Sequence, residues 1–99
     1  MSIIERNIDA IKQLCVTYTV AQMSVFGSVL TDRFNDNSDI DILVSFGTVP
    51  VEDYTDNYLK LQAALQTLLG REIDLVEDKA IRNPVFRNQV ERTKVQIYG

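Results

Sequence analysis

Apolar residues recur early in the chain at the spacing of one helical face. Ile4, Ile8, Ile11 and Cys15 predict a helix over residues 2–15, with Ser2 as its cap. Thr17, Tyr18 and Thr19 read as a connector, and Gln22 to Phe26 as a first strand. Residues 29–34 suggest a short helix, and Asn35-Asp36-Asn37 a turn. The period then changes from helical to two. Ile40, Ile42, Val44 and Phe46 share one face of a second strand, while Asp39, Asp41, Leu43 and Ser45 share the other. The apolar set is a core face. Gly47 to Pro50 closes this strand. Glu52 to Leu69 is the longest predicted helix, with Tyr54, Tyr58, Leu61, Leu65 and Leu68 as its core stripe. Asp53, Asp56, Lys60 and Gln66 fall on its solvated side, and Gly70 is its stop.

A third strand follows over Glu72 to Val76, where Asp74 points away from the face of Ile73 and Leu75. Glu77-Asp78 begins a turn or helix. Asn83-Pro84 suits a helix start, and Val85 to Arg92 continues that helix with Val85, Phe86 and Val90 as its buried positions. Residues 94–98 form a last short strand. No repeat, linker or low-complexity segment interrupts this order.

Composition narrows the class. A length of 99 residues suits a single domain, residues 1–99, with a modest core. With 45% hydrophobic residues and charges of both signs, the chain reads as globular and not disordered. No apolar run approaches membrane-spanning length, so no membrane partner is expected. Met-Ser-Ile-Ile-Glu-Arg lacks the basic start and long apolar segment of a signal peptide. The single cysteine, Cys15, has no internal partner and reads as a small buried apolar residue, which favours a cytoplasmic setting. A net charge of −4, without a basic cluster, argues against nucleic acid as the main partner. Histidine is absent, which removes Ser-His and Cys-His catalysis and leaves oxygen ligands for any metal.

Two short motifs carry the chemistry. Asp39 and Asp41 stand side by side on one face of the second strand, and like charges that close favour a shared counter-ion. Mg²⁺, with Mn²⁺ as a substitute, suits an open carboxylate site completed by substrate phosphates. Upstream, Gly27 permits a sharp turn after Val25 and Phe26, and Ser28 sets a hydroxyl beside free backbone N–H groups, which suits a phosphate. Asp32 and Asp36, in the insert between the motifs, read as turn residues.

The motif Gly27-Ser28, ten residues, Asp39-Ile40-Asp41 resembles that of the nucleotidyltransferases of the DNA polymerase beta superfamily. Arg71-Glu72-Ile73-Asp74-Leu75-Val76 resembles the later strand of that superfamily, which carries a third carboxylate, here Asp74. The chain is most similar to the minimal nucleotidyltransferases, the antitoxin half of HEPN/MNT toxin–antitoxin pairs, over roughly residues 20–99. The resemblance implies an α/β (α+β) fold like the polymerase beta palm, a small mixed sheet with helices packed mainly on one face.

It also implies a mechanism. Asp39, Asp41 and Asp74 would be the catalytic and metal-holding residues, and Gly27 and Ser28 would grip the phosphates of ATP. AMP would pass to a hydroxyl, a tyrosine in this family, of a HEPN ribonuclease toxin. Many relatives resemble Gly-Ser-Arg-Ala-Arg-Gly where this chain has Gly27-Ser28-Val29-Leu30-Thr31-Asp32, so the basic residues are missing there and Arg33 is the nearest cation. Two other classes stay open: a transferase acting on a small hydroxyl compound such as an aminoglycoside, and a non-catalytic antitoxin that masks its partner. Homo-oligomer and hetero-oligomer are both open.

Overall fold

The computed structural model describes residues 2–99. Its elements are α1 (Ser2–Arg6), α2 (Ile8–Thr17), β1 (Val20–Phe26), β2 (Ile40–Phe46), α3 (Tyr54–Leu69), β3 (Ile73–Glu77), α4 (Pro84–Thr93) and β4 (Val95–Tyr98). Single 3₁₀ turns cover Gly27–Leu30, Val51–Asp53 and Asp78–Ala80. The predicted first helix is therefore two, and Asn7 is the break. Its side-chain amide donates to Ile3 O at 2.8 Å and its backbone N–H to Ile4 O at 3.1 Å, so the last turn of α1 closes on itself. Ser2 is the first helical residue of α1, not a cap preceding it. The short helix expected over 29–34 is only the 3₁₀ turn at Gly27–Leu30, followed by a bend at Thr31 and a turn at Asp32–Arg33.

The four strands form one sheet in the order β3-β2-β1-β4. β1 runs antiparallel to both β2 and β4, and β2 runs parallel to β3. α3 is the crossover that this parallel pair needs. Gly70 ends α3 in the left-handed region at φ 66°, as its position predicted. Asn83 caps α4 through its side-chain oxygen, which accepts from the N–H groups of Val85 and Phe86, with Pro84 behind it.

One face of the sheet is sealed. Met23, Val25, Ile40, Ile42, Val44, Ile73 and Leu75 pack there against Ile4, Ile11 and Cys15 of α1 and α2 and against Leu61, Leu65 and Leu69 of α3. Leu69 takes the buried place expected of Leu68, which is only partly covered. β3 is an edge strand, and α3 closes part of that edge. Tyr58 donates its hydroxyl to Leu75 O, Gln62 donates to Ile73 O, and Gln66 accepts from the Ile73 N–H. Gln66 is thus a structural contact, not a solvated residue.

The other face carries a smaller cluster. Phe26, Leu43 and Val90 are buried there, with Val76, Ile81 and Phe86 packed around them. α4 supplies Phe86 and Val90, whereas Val85 is 66% exposed, against expectation. A helix entering at Asn83-Pro84 turns Phe86 and Val90, one turn apart, to the sheet and leaves Val85 outside. Arg87 ties α4 to the 3₁₀ turn after β3, donating to the Asp78 carboxylate at 2.9 Å and to Asp78 O at 2.7 Å. Among the described residues no helix is long and apolar enough to cross a membrane.

Candidate active site

The site lies on this second face, at the rim that α4 leaves uncovered. Asp41 is the first of its residues to be fixed. It is the second residue of β2, and its neighbours in the sheet are Phe26 on β1 and Asp74 on β3. Strand alternation turns its side chain away from the core, as it does for Leu43, but Leu43 is covered by α4 and Asp41 is only half-buried. Asp74 is exposed on the same face. Parallel pairing puts the two carboxyls side by side, although 33 positions separate them in the sequence.

Electrostatics follows from that pairing. Burial pushes the Asp41 carboxyl from its ordinary 3.8 up to about 6, and the charge of Asp74, a hydrogen bond between the two carboxyls and the charge of Asp39 push it the same way. A group raised in this manner is at odds with its surroundings when ionised, and a cation would relieve the conflict.

Gly27 lies against this pair. Its φ of 77° starts the 3₁₀ turn, and a Cβ added there would collide with Asp41 Oδ2. Ser28 follows, its carbonyl accepting from both the Thr31 N–H and the Thr31 hydroxyl at 2.9 Å. Its own hydroxyl makes no hydrogen bond to another described residue and is available to a ligand.

Two clefts meet at Gly27. One, of about 520 Å³, is lined by Phe26, Gly27, Asp41 and Asp74 and walled by Phe86, Gln89, Arg92 and Thr93 of α4. The second, of about 560 Å³, is lined by Gly27, Ser28, Thr31, Arg33 and Thr93. Arg33 and Arg92 form no ion pair with another described residue, so both bring uncommitted positive charge to a site rich in carboxylates. The α4 wall was missed from sequence. Its signal was the narrow Phe86–Val90 stripe, which places Gln89 and Thr93 beside it on the same side of the helix.

Asp39 is placed differently from the alternation reading. β2 begins at Ile40, so Asp39 stands in irregular backbone, exposed, beside a polar cleft formed with Asn37, Ser38, Arg71 and Glu72. Its influence on Asp41 is the smallest of the named causes. Among the described residues no group of three or more acidic, histidine or cysteine side chains has the geometry of a cation cage. The donor set nevertheless suits Mg²⁺: two paired carboxylates with a third nearby, all oxygen, beside a cleft open to phosphates and water.

Comparison with known proteins places the fold in a family. A protein of Methanocaldococcus jannaschii named as a protein adenylyltransferase is 36% identical over 80 residues, 81% of this chain and 79% of its own. A solved minimal nucleotidyltransferase superimposes with a TM-score of 0.76 at 29% identity, over 93% of this chain and 90% of the other. A toxin–antitoxin crystal structure with AMP-PNP gives a TM-score of 0.72 at 26% identity, over 94% and 73%. Residues 9–99 match the family described as polymerase beta, nucleotidyltransferase. By that match and by its fold, the chain belongs to the polymerase beta nucleotidyltransferases, as one of their minimal members.

Proposed function

We propose that this protein transfers AMP from ATP to a hydroxyl, a tyrosine by family resemblance, of a HEPN-type toxin, and so acts as its antitoxin in the cytoplasm. The observation that carries the chemistry is the Asp41–Asp74 pair, set beside Gly27 at the junction of two clefts. A similar protein belongs to a toxin–antitoxin complex solved with AMP-PNP, which supports a nucleotide donor and a protein partner together.

The roles follow from position. Gly27 lets the phosphates approach the backbone, and Ser28 donates its hydroxyl to them. Arg33 and Arg92 face the two clefts and offset phosphate charge. Asp39, Asp41 and Asp74 would hold Mg²⁺, which supplies charge stabilisation to the transferring group and to pyrophosphate as it leaves. Asp74, the more exposed of the strand pair, would bind a second metal or accept the proton of the attacking hydroxyl. The acceptor oxygen then bonds to the α-phosphorus while the bond to pyrophosphate breaks.

The test is incubation of the purified protein with Mg²⁺ and labelled ATP, with and without the protein encoded beside it, followed by intact mass. One or more AMP units should appear on the neighbour and vanish with the Asp39→Ala/Asp41→Ala double variant. A stable complex without any mass gain would instead make the protein a masking antitoxin. Neither complex nor mass gain would point to a small-molecule acceptor.

A further inference from the structure

The start of β3 does more than lead to Asp74. Arg71, just after the left-handed Gly70, turns back across the insert between the two motifs. Its Nη1 donates to Asn35 O at 2.7 Å and to Ser38 O at 3.1 Å. Its guanidinium lies over the Phe34 ring, 4.5 Å from the centroid. The side chain is only 17% exposed. Asp36 adds little, because its carboxylate stands in open solvent 3.8 Å away.

What Arg71 grips is a self-bonded turn. Asn35 N–H donates to Ser38 Oγ at 3.1 Å, Ser38 N–H to Asn35 O at 3.1 Å, and Asn37 N–H to Asn35 Oδ1 at 2.8 Å. Asp39 follows directly. On one side of it, Ser38 O is held by Arg71; on the other, the Ile40 N–H donates to Glu72 O at 3.0 Å. Asp39 lies outside regular structure, so these two anchors, from consecutive residues of one segment, set where its backbone sits.

We propose that Arg71 is a positioning residue for Asp39: by clamping the Asn35–Ser38 turn it fixes the backbone from which that carboxylate would help Asp41 and Asp74 to hold the metal. The inference rests on Asp39 being a metal ligand. The segment entering β3 would then build two parts of the site, presenting Asp74 and fixing Asp39. An arginine is required for geometric reasons. Both bonds leave one Nη1 while the guanidinium carbon stands over Phe34; a lysine keeps the charge but has no second group to cover the ring while its ammonium bonds the carbonyls.

Mn²⁺ binding, followed by the loss of free-ion EPR signal, separates this proposal from the reading beneath it. Wild type, Asp39→Asn, Arg71→Met and Arg71→Lys would each be titrated with Mn²⁺ alone, and amide exchange over residues 36–40 measured without metal. Arg71→Met should raise the Mn²⁺ dissociation constant about tenfold, as loss of a supporting contact does at other metal sites, with Arg71→Lys in between. The same amides should exchange faster while the melting temperature of the protein stays within a few degrees of wild type. Weakened binding in Asp39→Asn, with unchanged affinity and unchanged exchange in Arg71→Met, would overturn the positioning role alone. Absent binding in wild type, or equal binding by Asp39→Asn, would overturn the metal assignment itself. Should Arg71→Met fail to fold, Arg71→Lys, which replaces the guanidinium, and Phe34→Leu, which removes the ring beneath it, carry the same test.

Discussion

The two faces of the sheet use the same strands, residue by residue in alternation, and meet different fates. Ile40, Ile42 and Val44 point into a core closed by α1, α2 and α3, and each is fully buried. Asp41 and Leu43, interleaved with them, point to a face that, among the described residues, α4 and Ile81 cover only in part. Leu43 is sealed under Phe86 and Val90, while Asp41, two residues earlier, lies at the edge of that cover. A closed face stabilises; a half-closed one leaves a boundary between apolar wall and water. The candidate site occupies that boundary, where burial is deep enough to perturb a carboxyl and shallow enough to admit a ligand.

Substitutions on the two faces should therefore break different properties. The largest effect is expected at Asp41. Alanine there should cut AMP transfer by at least about 10³-fold, since the loss falls on charge stabilisation at the reacting group. Circular dichroism should show the fold unchanged. Transfer at the wild-type rate would remove Asp41 from the chemistry.

Next in size is Ile42→Ala, one position along and on the closed face. It should cost about 3 kcal/mol of unfolding free energy in urea titration, by lost burial and a residual cavity. The folded fraction should keep its affinity for a non-hydrolysable ATP analogue. A large affinity loss would show that the two faces are not separable.

A smaller effect concerns pH. Asp41 is raised from 3.8 to about 6, so the native state holds this proton to higher pH than the unfolded chain does. Ionising it costs stability: nothing is lost below about pH 4, and the full cost is present above about pH 7. Without metal, Asp41→Asn should melt increasingly above wild type as pH rises from 4 to 7. Added Mg²⁺ should shrink that gap by stabilising wild type alone. A gap that is constant with pH would contradict the conflict assigned to Asp41. The smallest effect is at Val85, on the outer side of α4, where serine should change stability by less than about 0.5 kcal/mol and leave nucleotide affinity intact. A marked affinity loss would mean that α4 presents another side to the ligand.

Local chemistry made much of this legible in the sequence. Two-residue alternation separated Ile40, Ile42 and Val44 from Asp41 because neighbouring strand side chains must point apart. Gly70 and Asn83-Pro84 marked helix ends because backbone conformation and unsatisfied N–H groups are decided within a few residues. Gly27-Ser28, Asp39-Ile40-Asp41 and the later segment with Asp74 resembled a family, and that resemblance implied the candidate residues. Tertiary structure decided what depends on distant pairing. The parallel register of β2 and β3 is what sets Asp74 beside Asp41. The docking of α4 over Leu43 gave the cleft its wall, and no period in a ten-residue helix says which sheet face it will cover. Arg71 reads in sequence as the residue before a strand, yet its guanidinium binds a carbonyl 36 positions away. Such contacts form only when a strand order exists to bring them together, and strand order is a property of the whole chain, set by which surfaces can be buried at once.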